Sequence, residues 1–143
     1  LVDDLQRQID ALQLRPYCHF LGRVEDEDLL YLLNAARCLV LPAHYEGFGL
    51  PPLEAMQAGV PVVASTATSL PEVLGDAALL VPPNDEAGWA RALRRVVEDG
   101  ALRAALATAG RERARQFSWR RSAEAALAAY RRALGQSTPS AVR

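Results

Sequence analysis

Two glutamates, Glu46 and Glu54, flank the seven-residue run Gly-Phe-Gly-Leu-Pro-Pro-Leu. Glycines let a backbone approach a ligand closely, and the free amides at the start of a helix favour phosphate or hydroxyl oxygens. Carboxylates accept hydrogen bonds from vicinal hydroxyls, and each such contact is worth roughly 1.5–3 kcal/mol when water is excluded. The segment therefore has the composition of a site for a ligand that carries both sugar hydroxyls and phosphate.

Four short apolar runs could supply the framework for this segment. They occupy residues 17–21, 38–41, 61–64 and 78–81. Continuous apolar runs of this length, each separated from the next by a helical pattern, are typical of strands in a parallel sheet with helices on both faces. The sequence therefore predicts a doubly wound α/β fold.

Helical patterns surround these runs. Apolar residues spaced three and four apart predict one helix before Pro16 and another that Asp26 caps. Proline and glycine bound two further helices, over 52–58 and 70–74. Three helices then follow in succession, and Ser118 caps the last of them. The residues expected to face the core are Leu29, Leu30, Leu32, Leu33 and Ala36 in the second helix, and Trp89, Leu93, Val97, Leu102, Leu106, Ala109, Trp119, Ala123, Leu127, Tyr130 and Leu134 in the last three.

The size of the chain, 143 residues of which 50% are hydrophobic, suits a single domain with a real core. We assign residues 1–135 to one partial Rossmann-like domain and residues 136–143, which lose periodicity, to a frayed tail. No apolar run approaches the roughly 20 residues that span a bilayer, and the first residues lack the pattern of a signal peptide. A cytoplasmic location is expected.

Charge and cysteine content exclude several kinds of partner. Sixteen basic and seventeen acidic residues nearly cancel, so long-range attraction to nucleic acid or to an anionic membrane is not expected. Cys18 and Cys38 lie in apolar runs without the spacing of metal ligands, which favours buried free thiols. No metal site is predicted, and any anion must be held locally.

Ligands of open parallel sheets bind beyond the carboxyl ends of the strands. This rule selects four loops, at residues 22–24, 43–51, 65–69 and 82–85. The second loop is the most unusual of the four, because it combines a carboxylate, two glycines around an aromatic residue, and a helix that begins at once. We therefore expect the ligand to be held chiefly there.

The spacing of the two glutamates resembles the paired-glutamate motif of the family 4 retaining glycosyltransferases. Other segments resemble this family in the same order along the chain, so the resemblance extends from about Pro16 to Leu134. They are Phe20-Leu21-Gly22-Arg23-Val24, Leu41-Pro42, Glu54-Ala55-Met56, Ala58 to Ser65, Leu70-Pro71-Glu72-Val73 and Phe117-Ser118-Trp119.

The resemblance implies a role for each matching residue. Glu46 is the candidate catalytic residue, facing the transferred sugar near the reacting carbon, and Glu54 holds the ribose hydroxyls of the donor. The other donor-binding candidates are Gly47, Phe48, Gly49 and Leu50, chiefly through their amides, and Arg23 and Val24 beside the nucleobase. Phe48 has a second interpretation, as a buried anchor of the loop, and Glu72 is a weaker candidate.

The resemblance further implies that this chain is part of the C-terminal, donor-binding half of a GT-B fold with a helical C-terminal tail. The expected reaction is retaining sugar transfer from a nucleoside diphosphate sugar, without a metal or other cofactor. An N-terminal domain absent from this chain would bind the acceptor, and absent basic residues would neutralise the diphosphate. The full-length enzyme could sit peripherally at a membrane, and the exposed edge of the partial sheet favours self-association.

Two alternatives compete with sugar transfer. A glycosidase also uses two carboxylates, but it needs both beside one glycosidic bond, whereas Glu46 is expected on a loop and Glu54 on the helix below it. The other alternative is a non-catalytic module that binds nucleotide sugars or another protein.

We predict negligible turnover by the isolated chain, because transfer requires the donor, the leaving group and the acceptor hydroxyl to meet in a closed cleft. The measurement is sugar transfer by purified residues 1–143 to a panel of acceptors. Transfer above the rate without protein would contradict this prediction.

Overall fold

The computed structural model describes residues 2–135. The chain forms two compact units, Leu1–Tyr31 and Leu32–Arg143. The predicted frayed tail, residues 136–143, lies outside the described residues. Within residues 2–135, no helix has both the length and the apolar character that crossing a bilayer requires.

The first unit opens with helix α1, Val2–Ala11, as the apolar spacing predicts. Ile9 is buried on this helix. The helix ends where Gln13 adopts a left-handed conformation, with φ of 56°. The amide of Leu14 donates to the carbonyl of Ile9 at 2.9 Å, and that of Gln13 donates to the carbonyl of Asp10 at 3.0 Å. This pair of bonds is a Schellman motif, which satisfies carbonyls that the end of a helix leaves free.

The predicted strand over 17–21 is wrong. A short 3-10 helix covers Arg15–Tyr17, and irregular backbone follows it. Tyr17 is 80% exposed and Leu21 is 58% exposed. A strand satisfies its amides and carbonyls by pairing with a neighbour, and the described part of the first unit contains no other strand. The run has the composition of a strand but no partner here.

Helix α2 covers Asp26–Ala35. The amide of Leu29 donates to the carbonyl of Glu25 at 2.9 Å, so Glu25 holds the cap position predicted for Asp26. The expected buried stripe is only partly confirmed. Leu33 is partly buried against core residues, but no residue of α2 is fully buried and Leu30 is 56% exposed. Helical periodicity identifies an apolar face but not the element that covers it.

Three parallel strands form the sheet of the second unit, in the order β1-β2-β3. Val40 on β1 pairs with Val63 on β2, and Ala64 on β2 pairs with Leu80 on β3. The central strand β2 is buried along its whole length, as a continuous apolar run predicts. The bounds are Leu39–Leu41 for β1, Val62–Ser65 for β2 and Leu79–Val81 for β3, close to the predicted 38–41, 61–64 and 78–81.

Helices separate the strands and cover both faces of the sheet. Val62 and Ala64 belong to a cluster with residues of α3 and α4, whereas Val63 and Val81 belong to a second cluster with residues of α5 and α6. Neighbouring residues of β2 therefore pack in opposite directions, as the pleat of a strand requires. The bounds are Leu50–Ala58 for α3, Leu70–Leu74 for α4, Glu86–Glu98 for α5 and Gly100–Ala114 for α6.

The predicted core of α5 and α6 is partly confirmed. Leu106 is buried, and Trp89, Leu93 and Leu102 are partly buried against the second cluster. Val97 and Ala109, in contrast, are exposed. The side chains of Asp85 and Asp99 accept from the amides of Gly88 and Leu102, and these bonds fix where α5 and α6 begin.

Helix α7 covers Trp119–Ala133, and Ser118 caps it as predicted, because its hydroxyl accepts from the amide of Arg121 at 3.2 Å. The predicted burial of its apolar stripe is wrong. No residue of α7 is buried, and Trp119 is 81% exposed and Tyr130 70% exposed. The stripe has the spacing of a packed face, but no described element buries it.

Close contact between α3 and α6 depends on a glycine. A Cβ atom added at Gly110 would lie 3.1 Å from Met56 Cγ and 3.6 Å from Met56 Cα. Met56 is itself 1% exposed and belongs to the core cluster beneath α3. The absence of a side chain at Gly110 therefore lets the two helices approach each other.

We predict that Gly110→Val lowers the free energy of unfolding by about 1–3 kcal/mol, the usual cost of overpacking a well-packed contact. Urea denaturation measures the change. Ala109→Val is the matched control, because it places the same side chain at the neighbouring exposed position of α6. An equal or smaller loss in Gly110→Val than in Ala109→Val would contradict close packing at this contact.

Candidate functional site

The loop over residues 42–49 leaves the carboxyl end of β1 and enters α3. Gly49 makes the turn into the helix with φ of 105°, a conformation that side chains rarely permit. A Cβ atom at Gly49 would also lie 3.1 Å from Leu70 Cδ2. At Gly47, by contrast, a Cβ atom would meet nothing within 4 Å, so the backbone there is open to an approaching ligand.

Glu46 is half-buried in this loop. Its Oε1 atom accepts from the amide of Phe48 at 3.3 Å, so the carboxylate folds back over its own loop. The Phe48 amide was one of those expected to meet the donor, and here it already has an anionic partner. In this arrangement the Phe48 amide is bound within its own loop.

Thr68 and Ser69 hold the backbone of Glu46 from the loop after β2. The amide of Glu46 donates to Thr68 Oγ1 at 3.0 Å, and Thr68 Oγ1 donates to the carbonyl of Glu46 at 2.7 Å. Ser69 Oγ donates to the same carbonyl at 2.9 Å. Both backbone groups of one loop residue are therefore bound by side chains more than twenty positions away in sequence.

A second connection joins the same two loops. Ser65, the last residue of β2, is fully buried, and its hydroxyl donates to the carbonyl of Ala43 at 2.6 Å. The same hydroxyl accepts from the amide of Ala67 at 3.3 Å. A single buried hydroxyl thus satisfies one backbone group in each loop.

Glu54 lies on the exposed side of α3 and lines a cleft of about 350 Å³. The cleft runs between the first turns of α3 and the junction of α6 with α7. It combines aromatic and aliphatic walls with one carboxylate, one amide and two hydroxyls. The lining residues are Phe48, Leu50, Leu53, Glu54, Gln57, Ala114, Phe117, Ser118, Trp119 and Ser122.

Phe48 lines the cleft and is also an anchor of the loop. Its ring meets the ring of Phe117 edge to face, with centroids 5.9 Å apart. The Arg113 guanidinium lies 5.2 Å from the centroid of Phe117 and donates to the carbonyls of Val73 and Glu72 at the end of α4. Because Phe48 is 46% exposed, both interpretations of this residue remain compatible with the structure.

The predicted site residues fall into three groups. Phe48, Leu50 and Glu54 line the cleft together, whereas Glu46, Gly47 and Gly49 belong to the adjoining loop and do not line it. Arg23 and Val24 belong to the first compact unit. The side chain of Arg23 is 90% exposed and lies 3.7 Å from Glu25 Oε1, and Val24 is half-buried.

The cysteines are free and half-buried rather than fully buried. Burial raises the pKa of the Cys38 thiol, so this residue is protonated at neutral pH and is a poor nucleophile. No three metal-ligating side chains cluster among residues 2–135.

Sequence reasoning missed Thr68 and Ser69. The rule that ligands bind beyond the carboxyl ends of strands had selected their loop, residues 65–69, without singling out any side chain. The available signal was a pair of adjacent hydroxyls directly after a buried strand. Their common target on Glu46 could be recognised only once β1 and β2 were known to be neighbours.

Comparison with known proteins settles the relationship. The family model described as "Glycosyl transferases group 1" matches residues 2–113, which include both glutamates and their loop. The chain belongs to this family. Its sequence resemblance to glycosyltransferases is therefore confirmed.

Two curated glycosyltransferases with similar sequences illustrate how much of the chain is shared. An O-antigen chain mannosyltransferase B from Escherichia coli is 47% identical over 115 residues, which are 80% of this chain and 30% of that protein. A glycogen synthase from Mycobacterium tuberculosis is 40% identical over 114 residues, 78% of this chain and 28% of that protein. The chain thus spans about a third or less of the length of these relatives.

Solved structures confirm the expected fold class. Sucrose-phosphate synthase from Thermosynechococcus elongatus superimposes with a TM-score of 0.83 at 33% identity, covering 93% of this chain and 34% of that one. The C-terminal domain of a glycosyl transferase group 1 protein from Francisella tularensis gives 0.70 at 28% identity, covering 80% and 60%. The chain is a parallel sheet flanked by helices, with a helical C-terminal tail, as in GT-B glycosyltransferases.

We predict that Ser65→Ala lowers the free energy of unfolding by about 1–3 kcal/mol, because it leaves the Ala43 carbonyl and the Ala67 amide without their shared partner. Chemical denaturation measures the loss. Ser122→Ala, at an exposed position of α7, is the control and should change stability by less than about 0.5 kcal/mol. Similar stability of the two variants would show that the buried hydroxyl does not join the loops.

Proposed function

We propose that this chain is the donor-binding part of an enzyme that transfers a sugar from a nucleoside diphosphate sugar to an acceptor, with retention of configuration. The observation that carries the proposal is the arrangement of a glycine-rich carboxylate loop beside the carboxylate-lined cleft of α3, at the carboxyl edge of the sheet. Membership of a glycosyltransferase family supports it. A long ligand with two chemically different ends suits this arrangement.

The nucleotide end of the donor fits the cleft. Glu54 offers two carboxylate oxygens to the vicinal hydroxyls of ribose, beside the apolar walls formed by Leu50 and Phe117. Among the first residues of α3, only Leu50 has an amide without a partner in its own helix, because Pro51 and Pro52 have no N–H and the Leu53 amide donates to the carbonyl of Gly49. This amide lies at the positive end of the helix dipole. It is suited to an oxygen of the diphosphate, and the backbone of Gly47 in the preceding loop is open to the same ligand.

The sugar end of the donor is assigned to the loop that contains Glu46. A fixed carboxylate there would accept hydrogen bonds from sugar hydroxyls and stabilise positive charge that develops at the anomeric carbon. In the transfer, the bond from that carbon to the diphosphate breaks and a bond to the acceptor oxygen forms on the same face. The acceptor hydroxyl gives its proton to an oxygen of the diphosphate, and the nucleoside diphosphate departs.

The remaining parts of the reaction are assigned outside this chain. Because the chain spans about a third of its relatives, we propose that a separate domain binds the acceptor and that basic groups elsewhere neutralise the diphosphate. No cofactor is needed for the bond changes described.

Calorimetry with UDP, GDP and ADP, and with the glucose and mannose derivative of each, tests this assignment. Glu54→Gln keeps the shape of the side chain and removes its charge, so we predict that it raises the dissociation constant of the preferred nucleoside diphosphate by about tenfold to a hundredfold. Glu46→Gln is predicted to weaken the sugar derivative and to leave the nucleoside diphosphate unchanged.

Glu98→Gln, at an exposed position near the end of α5, is the matched control and should bind like the wild-type chain. Unchanged binding of nucleoside diphosphate by Glu54→Gln would remove the ribose assignment. Absence of binding by the wild-type chain would refute a preformed donor site in residues 1–143.

A further inference from the structure

Two hydroxyls converge on the peptide groups of Glu46. Thr68 both accepts from its amide and donates to its carbonyl, and Ser69 donates to that carbonyl as well. A carbonyl oxygen has two lone pairs, so the two hydroxyls together fill it. Every polar backbone group of Glu46 is thus bound by the loop after β2 rather than by its own loop.

The backbone conformation of Thr68 is unusual for a residue with its side chain. Its φ is 48°, in the left-handed region that β-branched residues seldom occupy. Glycine would adopt this conformation without steric cost, so the turn alone gives no reason for threonine. The hydrogen bonds that its hydroxyl makes with Glu46 do give a reason, because strained conformations persist where surrounding contacts fix them.

The hydrogen bonds of Thr68 and Ser69 support the loop that contains Glu46, and not the helix that contains Glu54. Ser65 holds the loop separately, through Ala43, so the loop does not depend on Thr68 alone for its path. Glu54 lies on α3, and neither hydroxyl is bonded to that helix. Loss of the Thr68 hydroxyl should therefore displace Glu46 without displacing Glu54.

We infer that Thr68 and Ser69 are positioning residues for Glu46, which hold its carboxylate where the sugar part of the donor binds. This inference rests on the proposed function and adds to it. Recognition of the sugar would depend on a pair of hydroxyls outside the Glu46-to-Glu54 segment, whereas recognition of the nucleotide would not. The sugar and the nucleotide of the donor would thereby bind to parts of the fold that are held in place independently.

Thr68→Val tests the inference, because valine has the shape and the β-branch of threonine but cannot make these hydrogen bonds. Calorimetry should show an increase of about tenfold in the dissociation constant of the preferred sugar nucleotide. The constant for the matching nucleoside diphosphate should stay within about twofold. Thr68→Ser should restore the wild-type ratio of the two constants, and Ser69→Ala should give a smaller change than Thr68→Val.

Thr108→Val is the matched control. Thr108 lies on α6 and its hydroxyl donates to the Ala104 carbonyl at 3.0 Å, so the same atoms are lost away from the loop. This variant should leave the ratio of dissociation constants unchanged. If Thr68→Val weakens both ligands equally, or weakens neither, the ratio of the two dissociation constants stays unchanged and the inference is overturned. A merely structural role predicts this unchanged ratio.

Hydrogen exchange at the Glu46 amide distinguishes failure of the inference from failure of the proposed function. The amide should be protected in the wild-type chain and lose its protection in Thr68→Val, while the Leu53 amide of α3 remains protected. A Glu46 amide that exchanges freely in the wild-type chain overturns the inference. If the wild-type chain binds neither ligand, the proposed function fails, and this exchange measurement still decides whether the hydroxyls hold Glu46.

Discussion

The parallel pairing of β1 with β2 is the constraint on which the candidate site depends. Because Leu41 pairs with Ala64, both strands end at the same edge of the sheet, and the loops that follow them lie side by side. Residues more than twenty positions apart then meet, as Ser65 does with Ala43. A one-residue slip of register would exchange the residues of β2 that face the two core clusters and would displace the buried hydroxyl of Ser65 from the Ala43 carbonyl.

Sequence reasoning succeeded where local pattern and environment agree. Continuous apolar runs predicted β1, β2 and β3 to within a residue at each end, and Gly59, with φ of 77°, ends α3 where predicted. It failed where a pattern requires a partner. Residues 17–21 have the composition of a strand, but the described part of their own unit contains no strand to pair with. The stripe on α7 has the spacing of a packed face, but no described element buries it.

The candidate site also has a part that the local sequence predicts and a part that depends on tertiary contacts. The segment from Glu46 to Glu54 could be identified from residue types and spacing, because its glycines, carboxylates and helix start are contiguous in sequence. Thr68 could not be identified in this way, and neither could the contact between Phe117 and Phe48, since both relations arise from the tertiary fold. The local motif predicts a kind of ligand, and residues distant in sequence hold the backbone of the motif in place.

The contacts of Arg113 connect α4 to the aromatic pair beside the cleft. Its guanidinium binds the carbonyls of Glu72 and Val73 in the C-terminal half of α4 and lies against Phe117, whose ring contacts Phe48 in the loop. The carbonyl end of a helix carries partial negative charge, so a cation there is held electrostatically as well as by hydrogen bonds. Displacement of the junction between α6 and α7 would therefore break the contact between the two rings or move Phe48 with it. The position of the helical tail is thereby coupled to the wall of the cleft that Phe48 forms.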